Sequence, residues 1–87
     1  MKVFVKFISP ISMKSKSEPF VVEIADATVQ VALRELIRKY GKSLEPQIFD
    51  NDGKPYTQFL VNGEVVTMES PLQDGDTLWI MPIIAGG

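Results

Sequence analysis

Only one stretch of this 87-residue chain carries a helical period, and it sits between segments that alternate like strands. In residues 28–41, Val29, Ala32, Leu33, Leu36, Ile37 and Tyr40 fall on one helical stripe, while Gln30, Arg34, Glu35, Arg38 and Lys39 form the solvated face. Thr28 offers a side-chain oxygen to the free N–H groups of the first turn, and Gly41 permits the left-handed backbone that closes a helix. Glu35 and Lys39 are spaced for an ion pair one turn apart. A single helix with one apolar stripe needs a sheet to cover it, which restricts the chain to a small α+β domain.

The strands are legible around it. Val3, Val5 and Phe7 alternate with Phe4 and Lys6, and Phe20, Val22 and Ile24 point inward from a second strand. Residues 9–19 between them are polar and contain Pro10, as expected of an exposed connection. After the helix, residues 42–56 read as a long irregular segment. Phe59-Leu60-Val61 and Glu64-Val65-Val66-Thr67 flank Asn62-Gly63, a strong two-residue hairpin signal. A turn at residues 71–76 precedes the last strand, Thr77-Leu78-Trp79-Ile80-Met81. The order β-β-α-β-β-β predicts one α+β domain, with a mixed sheet of four to five strands packed on one main helix. The first and last strands are the most continuously apolar and are expected at the sheet's centre.

Composition narrows the chemistry. At 45% apolar, about 39 side chains are available for one small core. The chain has no Cys and no His, which removes cysteine nucleophiles, Ser-His arrangements, disulfides and histidine metal ligands. Its formal charge of −2 lacks the basic excess of a nucleic-acid reader. The longest apolar run, Leu78 to Ala85, is eight residues and contains Pro82, too short to span a bilayer. Neither nucleic acid nor membrane is expected as a partner, and a cytoplasmic location is the default.

Candidate sites are few. Asp50-x-Asp52-Gly53 resembles the start of a calcium loop, but Val61 stands where the bidentate Glu belongs, so a turn is expected and no metal site. Asp74 and Asp76 have the spacing of an acid/base pair, although beside Gly75 they are also ordinary turn residues. Trp79 points away from the core if Leu78 and Ile80 face it. It is then either an exposed contact beside Met81 or a residue covered by segment 42–56. The chain ends Ile83-Ile84-Ala85-Gly86-Gly87. Two residues without side chains can enter a channel too narrow for a Cβ, and the one reactive group there is the α-carboxylate.

The run from Asp74 to Gly87 resembles the ending of the ubiquitin-like sulfur-carrier family (MoaD/ThiS), closest to the molybdopterin synthase small-subunit branch. The Gly-Asp turn, the strand, the proline five residues before the end and the terminal Gly-Gly all match without a gap. Thr28-Val29 at the helix start, and Phe49-Asp50-Asn51-Asp52-Gly53 leading to Val61-Asn62-Gly63-Glu64, are similar as well. The resemblance implies a β-grasp domain at residues 1–82 and a flexible tail at 83–87.

It also implies a chemistry in which the chain is substrate and carrier, with no catalytic side chain of its own. A ubiquitin-activating-type adenylyltransferase (MoeB/ThiF-like) would adenylate the Gly87 carboxylate, using ATP and magnesium that it binds itself. Sulfur would then displace AMP and leave a thiocarboxylate. A large synthase subunit (MoaE-like) would receive the tail, with Gly86, Ala85 and Ile84 threading its active site and Pro82, Met81 and Trp79 at the interface. The family also implies two other uses of the same end: a ubiquitin-like modifier joined to lysines, and sulfur supply for thiamine or tRNA thiolation. A plain interaction domain with an inert Gly-Gly is the remaining alternative.

Overall fold

The computed structural model describes residues 1–9, 14–15, 19–25 and 28–82. The strands are β1 (Lys2–Ser9), β2 (Lys14–Ser15), β3 (Phe20–Glu23), β4 (Thr57–Val61), β5 (Glu64–Val66) and β6 (Thr77–Pro82). The main helix is α1 (Val29–Tyr40), followed by a 3₁₀ turn at Lys42–Leu44 and a one-turn helix α2 (Glu45–Ile48). β1 and β6 run parallel at the centre, with Val5 beside Leu78 and Phe7 beside Ile80. β4 continues antiparallel from β6, and β5 antiparallel from β4. On the other side of β1, β3 pairs with its first half and β2 with its last two residues, so the mixed sheet is five strands wide. This is the β-grasp architecture, a sheet clasping one helix.

The core lies between α1 and one face of the sheet. Val29, Ala32, Leu33 and Leu36 pack with Val3, Val5, Val22, Phe59, Leu78 and Ile80, all at most 4% exposed. Burying each large aliphatic side chain contributes about 1.5–3 kcal/mol, which suffices to hold a small sheet on one helix. The helical stripe is therefore confirmed through Leu36. Its end behaves differently: Tyr40 is 40% exposed, stacks edge-on against Phe20 and exchanges hydrogen bonds of 3.2 Å with the Val21 backbone. Tyr40 thus ties the helix end to β3.

The ends of α1 are closed by more than local chemistry. Thr28 Oγ1 accepts from the Val31 N–H at 3.4 Å. The Val29 and Gln30 N–H groups donate to the carbonyls of Ser70 and Met68 at 3.0 Å, so a distant loop satisfies what a cap cannot. Gly41 takes φ +113°, ψ 153°, an extended positive-φ conformation open to glycine and not the left-handed helical one expected.

Three further sequence expectations are corrected. The connection after β1 contains a short strand, β2, because Ile8 and Ser9 offer free backbone edges that Ser15 and Lys14 pair with. Segment 42–56 is not irregular throughout: α2 carries Ile48 to full burial in the core, and this anchor organises the turn around it. Glu35 pairs with Arg38, not Lys39, because the Lys39 ammonium is drawn to the Val21 carbonyl at 3.0 Å and lies over the Tyr40 ring.

Candidate functional site

β6 is launched from a turn in which every carboxylate is committed to structure. Asp74 Oδ1 accepts the Lys2 N–H at 2.7 Å, and the Gly75 N–H donates to the Lys2 carbonyl at 2.7 Å. Asp76 Oδ2 accepts the Gln73 N–H at 2.8 Å, while its Oδ1 accepts from Asn62 Nδ2 at 3.2 Å. Gly75 has φ +88°, which favours glycine there. The two carboxylates bind different backbone groups on separate errands, so the spacing that resembled an acid/base pair is turn chemistry. Asp50 is resolved the same way. Its Oδ1 accepts the N–H groups of Asp52 and Lys54 at 2.9 and 3.0 Å, closing an Asx-type turn over Gly53. Among the described residues, no three acidic side chains gather as a metal site would require.

Among the described residues, no helix packs on the other face of the sheet. Leu78 and Ile80 point into the core, so Trp79 and Met81 of the same strand point outward, half-buried. Trp79 lies in register between Lys6 on β1 and Leu60 on β4, and Leu60 in turn lies opposite Val65 on β5. Lys6, Trp79, Leu60 and Val65 thus stand abreast across four strands. Val65, at 63% exposed, is the most open large apolar residue of the described chain. Met81 stands beside Gln58 of β4. Leu44, Ile48 and Phe49 of segment 42–56 pack against the core, on the helix side of the sheet. Trp79 is thus half-buried on this face, neither fully exposed nor in the core.

Leu60 and Val65 were not singled out from sequence. The hairpin held the signal: with Asn62 at φ 53° and Gly63 at φ 87° forming a two-residue turn, Val61 pairs with Glu64 and Leu60 with Val65. Pro82 is the last residue of β6 and pairs with Thr57. Ile84, Ala85, Gly86 and Gly87 lie outside the described residues. The structure therefore places Trp79, Met81 and Pro82 on the one strand that leads to the tail.

The clearest electrostatic pairing is remote from this strand, on α1. There the Arg38 hydrogen bond holds Glu35 below the usual carboxylate range, and Glu35 raises Arg38 in return. Among the described residues no helix is long and apolar enough to cross a membrane.

Comparison with known proteins agrees with this geometry. The model of the ThiS family matches residues 13–87, through the last glycine. Small archaeal modifier protein 3 of Haloferax volcanii is 38% identical over 66 residues, covering 71% of this chain and 72% of that protein. The crystal structure of SAMP1 from Haloferax volcanii superposes with a TM-score of 0.79 at 28% identity over the full length of both chains. A chain in the complex of subunits 1 and 2 of molybdopterin-converting factor from Helicobacter pylori shares the fold, with a TM-score of 0.59 at 24% identity over the full length of both chains. With its sheet clasping one helix and a family match that runs to Gly87, the chain belongs to the ThiS family of ubiquitin-like sulfur carriers and modifiers.

Proposed function

We propose that this protein is a sulfur carrier whose working atom is the carbonyl carbon of Gly87. The observation that carries the reading is the family match through Gly86-Gly87, a pair separated by three residues from the end of the central strand β6. A carboxylate resists nucleophiles because its charge is delocalised and oxide is a poor leaving group. Attack of a Gly87 oxygen on the α-phosphorus of ATP, with loss of pyrophosphate, turns it into an acyl adenylate. A sulfide equivalent then adds to the carbonyl carbon and expels AMP, leaving a thiocarboxylate on Gly87. The ATP and magnesium belong to a ubiquitin-activating-type adenylyltransferase of the MoeB/ThiF kind. The absence of Cys and His from the chain is no obstacle, since the sulfur rides on the terminus.

The acceptor we favour is a molybdopterin-type synthase, in which a MoaE-like large subunit takes the tail. The fold shared with a chain of the two-subunit molybdopterin-converting factor supports this. Gly86, Ala85 and Ile84 then pass through the partner's channel, while Trp79, Met81 and Pro82 meet its surface. Leu60 and Val65 extend that surface away from the tail. A second reading is favoured by the 38% identity to an archaeal modifier protein: the same adenylate transferred to lysine amines, giving an isopeptide bond in place of a thiocarboxylate.

Incubation with ATP, magnesium, a sulfide source and the host's activating enzyme tests the carrier reading. The expected product is a protein heavier by one oxygen-to-sulfur exchange, located at Gly87 by fragmentation. Formation of an adenylate without any sulfur product, together with Gly-Gly remnants on lysines of other proteins in the cell, would favour the modifier. Absence of adenylate with an active enzyme rejects both.

A further inference from the structure

The β4–β5 ladder stops short because the chain after β5 leaves to cap the helix. The two-residue turn makes Val61 and Glu64 the hydrogen-bonded pair that closes the hairpin, and such pairs recur at every second residue of an antiparallel ladder. Phe59–Val66 is therefore the next bonded pair, and Thr57–Met68 would be the one after it. That rung is not made. The Met68 carbonyl accepts the Gln30 N–H at 3.0 Å, and the Ser70 carbonyl accepts the Val29 N–H at 3.0 Å. Thr57 thus turns its N–H and carbonyl to an edge that β5 has left. Among the described residues neither group has a hydrogen-bond partner, although Thr57 is 6% exposed and buried backbone groups are nearly always paired.

The place of the missing rung is a cleft of about 450 Å³. Pro55, Phe59, Val66 and Met68 give it apolar walls, and Glu69 supplies the charge on its lining. Pro55 also offers an acceptor. The Asp50 N–H donates to the Lys54 carbonyl at 2.8 Å and the Tyr56 N–H to the Ile48 carbonyl at 3.1 Å, so Lys54 and Tyr56 turn toward residues 48–50. The Pro55 carbonyl then turns to the same side as the Thr57 backbone. We infer that this cleft binds an extended peptide segment of a partner protein, which continues the line of β5 along the bare edge of β4. One residue of the segment exchanges both backbone bonds with Thr57, and the N–H two residues further on donates to the Pro55 carbonyl. Its side chain shares a face with Phe59 and Val66 and is apolar, while a flanking basic residue answers Glu69. The inference rests on backbone geometry and not on the carrier reading.

The test adds the peptide acetyl-Thr-Lys-Leu-Lys-Thr-amide to the full chain and follows the backbone amides by NMR. The Thr57 amide is expected to shift, and to exchange with solvent at least about tenfold more slowly once roughly millimolar peptide fills the cleft. A peptide N-methylated at Leu lacks the donor for the Thr57 carbonyl and should bind about tenfold more weakly. Glu69→Lys should weaken the lysine peptide by about two- to fivefold and leave a version with Ser in place of Lys unchanged. A Thr57 amide that does not respond at about 10 mM peptide overturns the site. Equal binding of the N-methylated peptide overturns the backbone pairing, and equal effects of Glu69→Lys on both peptides overturn the basic character of the segment. Two further results overturn the assignment to a partner. Protection of the Thr57 amide without peptide that fades on dilution would mean that a second copy fills the cleft. Peptide binding that appears only after residues 83–87 are removed would mean that the chain's own end fills it.

Discussion

Asn62 at the tip of the β4–β5 hairpin donates its side-chain amide to Asp76 Oδ1 at 3.2 Å, joining two turns fourteen residues apart. The same Asp76 carboxylate holds the Gln73 N–H, and its carbonyl accepts from Phe4. One residue therefore aligns the hairpin, the turn and the start of the central strand. Asp76→Ala removes both side-chain bonds and should lower stability by about 1–3 kcal/mol, a fall in Tm of several degrees in a domain of this size. Asp76→Asn keeps an acceptor oxygen and should recover part of that loss. Thermal unfolding of the two variants measures the difference.

Gly63 has open space where a Cβ would sit, yet its φ is +87°. Gly63→Ala should accordingly cost about 1–2 kcal/mol through backbone strain and not through collision. Gly63→Asn, which tolerates positive φ better, should cost less. Denaturant unfolding separates these cases, and equal costs would point to a lost contact instead of strain.

Much of this architecture is written locally. The α1 stripe and the Asn62-Gly63 turn need only neighbours in sequence, and both stand where periodicity and turn chemistry put them. What stayed hidden depends on distant partners. α2 is four residues long with Pro46 near its start, and it exists because Ile48 finds the core. β2 has no apolar pattern, since backbone pairing with β1 makes it. Lys39 abandons the expected Glu35 for a carbonyl on β3. At the candidate site, Trp79 and Met81 follow from strand alternation, whereas Val65 requires the hairpin register. The chemistry proposed for Gly87 lies in no side chain, so only the family resemblance points to it.

Glu35 offers a pH test with a defined sign. Its folded pKa lies below the ordinary 4.5, chiefly through the Arg38 hydrogen bond and then through the charges of Arg38 and Lys39. A depressed carboxylate pKa stabilises the fold above the unfolded value, and that contribution disappears as pH falls through the folded pKa. Relative to Glu35→Gln, the unsubstituted chain should thus hold its advantage at neutral pH and lose it below about pH 4.5. Parallel unfolding curves from about pH 2 to 7 check this, and salt should shrink the gap, because the pair is exposed.

The strip of Trp79, Leu60 and Val65 makes its own prediction, because Trp79 is the only indole in the chain. A half-buried indole on an open sheet face should be accessible to a soluble quencher, and covering it should shift its emission to the blue. Addition of the MoaE-like large subunit is expected to produce both protection and the shift. Val65 lies 63% exposed on the edge of that strip, so Val65→Lys should leave stability within about 0.5 kcal/mol. If the strip is the docking surface, the same change should weaken partner binding by about tenfold or more, because it sets an unpaired ammonium against an apolar contact. Binding unaffected by Val65→Lys, with Trp79 still quenched in the complex, would mean that the partner holds the tail without touching the sheet.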